Sequence, residues 1–66
     1  MKRKKMIETK NKKMAARILA GYSCHDCVLY RGVEFRRPMA VHEFGKNGDI
    51  SIAKAIEYID YVLERV

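Results

Sequence analysis

Residues 51–66 read SIAKAIEYIDYVLERV. Ile52, Ala55, Ile56, Ile59, Val62, Leu63 and Val66 recur there at three- and four-residue intervals, with Lys54, Glu57, Asp60 and Glu64 opposite. That spacing draws one apolar stripe along a helix. Asp49 or Ser51 can cap its start, since a short side-chain oxygen accepts from N–H groups that the first turn leaves free. The stripe needs a second layer to cover it. Full burial of each large aliphatic is worth roughly 1.5–3 kcal/mol, so Ile56→Asp or Ile59→Asp is expected to unfold the domain.

The second layer is sought upstream. From Cys27 to Phe44 the pattern is that of strands, with Leu29, Val33 and Phe35 on one face and Tyr30, Glu34 and Arg36 on the other. Pro38 cannot donate to a ladder, so it ends the first strand or lies at an edge. Met39 and Val41, alternating with His42 before Phe44, predict a second strand. Asn47-Gly48, within Gly45–Asp49, is the strongest short turn signal. A turn at Arg31-Gly32, with glycine at the type II position, is a competing register; Gly32 inside a strand is preferred. Further upstream, Met14–Ala20 has good helix formers and Gly21 stands where a helix would stop.

The expected fold is α+β: a flexible basic arm over residues 1–13, then one miniature domain over residues 14–66. That domain holds a short helix, a small antiparallel sheet of two or three strands, and the C-terminal helix packed on the sheet. The run of residues 30–37, then 41–44, then 51–60 resembles the small hairpin-plus-helix accessory proteins of phages and prophages. The likeness spans about half the chain. It implies a non-enzymatic protein that binds host nucleic acid or host proteins, and it transfers no functional residue.

Charge divides the chain sharply. Lys2, Arg3, Lys4, Lys5, Lys10, Lys12 and Lys13 face only Glu8, so the first thirteen residues carry the whole net charge of +6. The remainder is balanced. Such an arm neutralises phosphates and releases counterions, giving affinity that falls steeply with salt. Lys2, Arg3, Lys4, Lys5, Lys12 and Lys13 are therefore the expected nucleic-acid contacts, with Arg36 and Arg37 as secondary ones. An alternative is a protein-binding inhibitor or modulator of a host factor, using Glu57, Tyr58, Asp60, Tyr61 and Glu64 on the C-terminal helix, or a sheet edge.

Cys24-His25-Asp26-Cys27 has the spacing of half a zinc site. Cys24 and Cys27 with His42 supply three zinc candidates, but a second knuckle is absent, and two reduced cysteines are the simpler reading. His25, His42, Asp26 and Glu43 form no recognisable acid–base pair, and no nucleophile motif or phosphate loop accompanies them. With 66 residues in all, a walled catalytic pocket is not expected, and neither is a cofactor. No apolar run supports a leader or a membrane span. Two close cysteines suit a reducing compartment, so the expectation is a cytoplasmic protein, with a homodimer as one way to enlarge a small core.

Overall fold

The computed structural model describes residues 6–66; Lys2, Arg3, Lys4 and Lys5 lie outside them. The elements are β1 (Ile7–Thr9), α1 (Lys12–Leu19), β2 (Cys27–Tyr30), β3 (Val33–Arg36), α2 (Arg37–Phe44) and α3 (Ile52–Leu63). The fold is α+β, with three helices and a three-stranded mixed sheet in the order β1-β2-β3. β2 and β3 are antiparallel, pairing Val28 with Phe35. β1 joins β2 in parallel, pairing Ile7 with Val28. The sheet is therefore mixed rather than antiparallel, because α1 carries the chain back across the sheet between β1 and β2.

This topology moves the domain boundary expected at residue 14. Ile7 is half-buried against the core, Thr9 Oγ1 accepts from Asn11 N at 3.1 Å, and Asn11 Oδ1 accepts from Met14 N at 3.1 Å. Asn11 is thus the helix cap, and Lys12 and Lys13 form the first helical turn rather than a free arm. The helix stops before Gly21, as expected.

The hairpin register also differs from expectation. Arg31 and Gly32 form its turn, with φ of 55° and 76°. Two consecutive left-handed residues make a type I′ turn, whose twist matches the strands it joins. Placing the turn there turns Val28 and Tyr30 inward, beside Val33 and Phe35, and leaves Leu29 on the outer face. Asn47 and Gly48 repeat the geometry, at φ of 55° and 77°. Lys46 N donates to Asp49 O at 2.7 Å, and Asp49 N to Lys46 O at 3.0 Å.

The strand expected over Met39–Phe44 is instead helix α2. Pro38 falls in its first turn, where the missing N–H costs nothing and the fixed φ suits a helix. Arg37 N is satisfied by Asp26 O at 2.8 Å. Ala40, Val41 and Phe44 then face the core at helical spacing.

Ser51 caps α3, its Oγ accepting from Lys54 N at 3.2 Å. α3 packs on the sheet side, lying along α1 and α2, with Tyr58 edge-on to Phe35 at 6.2 Å between ring centroids. Phe35, Leu19, Ile59 and Val28 are the largest fully buried side chains, so each layer contributes to one core. Buried Ala15, Ala16 and Ala55 are small enough for the layers to close. Glu8, Leu29, Glu34 and Arg36 occupy the opposite sheet face, where no described residue is fully buried. No helix among the described residues is long and apolar enough to cross a membrane.

Candidate nucleic-acid interface

The fold separates cations that structure consumes from cations that it leaves available. Lys12 Nζ lies 2.8 Å from Asp60 Oδ1, which ties α1 to α3. The hydrogen bond to Asp60, and then that carboxylate's charge, raise the Lys12 pKa above its usual value. Arg37 reaches Asp49 at 3.0 Å and packs beside Gly21, so it braces the α2 entry against the second turn. Its Nε is buried. Arg36 pairs with Glu34 at 3.2 Å on the outer sheet face. Of the expected contacts among the described residues, Lys13 alone is exposed and forms no ion pair.

Lys10, one of the seven cations of the expected arm, and Arg17, near it in sequence, share that state. Lys13, Met14 and Arg17 all lie on the exposed face of α1, with the two cations one turn apart. The four-residue interval between Lys13 and Arg17 is the signal the sequence carries, and it has meaning only with residue 13 inside the helix.

Beside this face runs an open cleft of about 670 Å³, with Ile7, Met14, Ile18 and Ile52 as its apolar lining and Arg17 and Tyr22 at its walls. A second cleft of about 600 Å³ has Phe44 and Ile50 in its lining, with Lys46 and Lys54 beside them. Tyr22 borders both clefts, and the residue is 74% exposed. It forms an aromatic ridge between two concave surfaces. Lys46 forms no ion pair among the described residues, whereas Lys54 meets Glu57 at 3.4 Å.

The residues expected to bind protein are dispersed by their packing. Tyr58 is buried, stacked edge-on against Phe35 and also against Phe44 at 5.7 Å. It is therefore a core residue and not a surface anchor, and burial raises its pKa above the ordinary tyrosine value. Asp60 is engaged by Lys12. Tyr61 lies against Phe44 at 5.3 Å, under the Arg65 guanidinium at 3.7 Å. Glu57 and Glu64 remain on the outer side of α3.

Cys24 is exposed and Cys27 half-buried at the start of β2, while His42 lies on the exposed side of α2. Among the described residues, no three histidine, cysteine or acidic side chains converge as a metal ion would require. His25 N donates to Ser23 Oγ at 3.1 Å, so this loop is organised by its own turn.

Comparison with protein-family models, curated proteins and solved structures finds no match to this chain.

Proposed function

We propose that this chain is a small non-enzymatic accessory protein that binds nucleic acid, with Lys2, Arg3, Lys4 and Lys5 leading and Lys13 and Arg17 extending their reach onto the fold. The observation that carries the reading is the selective pairing of cations. Lys12, Arg36 and Arg37 are held by carboxylates, while Lys10, Lys13 and Arg17, immediately following the arm and β1, are not. Unpaired surface cations surrender only loosely held counterions on meeting a phosphate, so their contribution to affinity is not offset by breaking an ion pair.

Fluorescence anisotropy with labelled DNA and RNA across a salt series tests the proposal. The full chain is expected to lose affinity steeply as salt rises. Removing residues 1–5 alone keeps β1 and the Asn11 cap and is expected to lower the slope of log affinity against log salt by about 3–4, for four phosphate contacts. Removing residues 1–13 would delete β1 and the start of α1 and would confound binding with folding. Unchanged affinity and slope after deletion of 1–5, and after Lys13→Gln with Arg17→Gln, would remove the nucleic-acid role.

A further inference from the structure

We infer that the two clefts flanking Tyr22 seat unpaired bases, so that the preferred ligand is a single strand rather than a duplex; this rests on the nucleic-acid reading above. Single strands are held by alternating elements, namely apolar or aromatic surfaces for the bases and cations for the phosphates between them. The molecule presents that alternation. Arg17 borders the first cleft, with Lys13 one turn away on the same helix. Tyr22 stands between the clefts, and Lys46 borders the second.

Tyr22 is 74% exposed as a residue, so it contributes little to the core and is open to a ligand. It does not belong to the network of stacked rings formed by Tyr30, Phe35, Phe44, Tyr58 and Tyr61. The floor of the first cleft, from Ile7, Met14, Ile18 and Ile52, is apolar and gives a base a dry surface without hydrogen-bond readout. The expected recognition is therefore tolerant of sequence. Asp49, the acidic residue bordering the second cleft, is already paired with Arg37 at 3.0 Å. Its charge is thereby offset where a phosphate would pass.

A duplex cannot use these clefts, because its bases are stacked on each other and only its phosphates are presented. An arm acting alone would favour the duplex, whose higher charge density gives a larger counterion release per contact. The sign of the preference thus separates the two modes.

The experiment compares a labelled oligothymidylate about a dozen nucleotides long with a duplex of equal length, at moderate salt, using full-length protein. The single strand is expected to bind more tightly. Tyr22→Ala should weaken single-strand binding roughly 5- to 100-fold, as for loss of one or more stacked bases, with the salt slope and duplex binding unchanged. Tyr22→Phe should retain affinity. Tyr22→Trp, in a chain without native tryptophan, should show fluorescence quenched by the single strand and not by the duplex. The exposure of Tyr22 makes all three compatible with folding, which circular dichroism verifies. A preference for duplex with a silent Tyr22→Ala overturns the cleft assignment while leaving the arm's role intact. No binding to either ligand overturns both. Displacement of the strand by polyglutamate at equal charge, equally in wild type and Tyr22→Ala, would also overturn it and point to an acidic protein partner.

Discussion

Gly45→Ala is expected to be among the most damaging single-methyl additions to this protein, although Gly45 has an ordinary extended backbone with φ of −91°. The cause is space. A Cβ at that position would press on Asp49 O and lie 2.5 Å from Val41 O and 2.7 Å from Val41 Cα. All three are backbone atoms, so no rotamer change relieves the clash. Reaching an ordinary contact of about 3.4 Å requires displacements of roughly 0.7–1.0 Å. Those atoms are tethered. Gly45 N donates to Val41 O at 2.8 Å, and Asp49 is locked to Lys46 by two reciprocal hydrogen bonds. Overpacking typically costs about 1–3 kcal/mol, and each strained hydrogen bond adds about 0.5–1.5 kcal/mol; about 3 kcal/mol is the expected total. Gly48→Ala is the internal control. Nothing lies within 4 Å of its added Cβ, so only the left-handed φ of 77° is penalised, by about 1 kcal/mol. For a domain this small, those figures correspond to melting-point losses of about 12–24 °C and 4–8 °C respectively. A single core of this size rarely supplies more than about 3–5 kcal/mol, so Gly45→Ala stands near the limit of folding. Thermal and urea melts followed by far-ultraviolet circular dichroism measure both. A Gly45→Ala protein that melts with or above Gly48→Ala would refute the close-approach argument.

Burial divides two isoleucines that sequence treats alike: Ile59→Asp, at a fully buried position, should abolish the cooperative melt, whereas the half-buried Ile56 should leave a weakened but measurable transition when changed to Asp. Equal damage at both would contradict the packing. Alkaline pH supplies another test. Lys12 and Tyr58 both have raised folded-state pKa values, from Asp60 and from burial respectively. Their contributions are complete below the unfolded values of 10.5 and 10.0 and are lost as pH rises through the folded ones. The melting point should therefore fall above about pH 10, less steeply in Asp60→Asn and in Tyr58→Phe. A pH-independent melt in that range, or identical behaviour of the wild type and both variants, would contradict it.

The C-terminal helix was legible because Ile52, Ala55, Ile56 and Ile59 repeat at one period over many residues, and their stripe lies inward as expected. The α1 segment was legible from its alanines and Gly21, apart from its start. β1 was not, since Ile7-Glu8-Thr9 supplies one large apolar residue amid lysines, and its pairing partner lies far along the chain. α2 misled for a different reason. Met39, Val41 and His42 allow a strand period, while Ala40, Val41 and Phe44 allow a helical one, and with apolar and polar side chains distributed around the helix neither period dominates. Pro38 stands in the first turn of the helix, a position that suits a helical start and would interrupt a strand ladder. Tyrosine is amphipathic, which allows Tyr58 to be a surface anchor, yet its helical phase with Ala55 and Ile59 places it in the core. The clefts around Tyr22 had no sequence signature, because the first joins β1, α1, the loop after it and the N-terminal turn of α3, and the second joins that same loop to the end of α2 and the start of α3.

The parallel pairing of β1 sets the order in which this fold closes and opens. Ile7 meets a partner twenty-one positions later, Val28, whereas β2 and β3 meet across a two-residue turn. Long-range closure is entropically slower than local closure, and a three-residue strand at a sheet edge has few bonds to resist opening. β1 should therefore dock last during folding, and its amides should exchange with solvent first. A pull on the residues before Met6 is transmitted directly to those bonds. Ile7 would leave the floor of the first cleft as the strand peeled away, so tension at the charged end and the shape of the cleft are coupled in series.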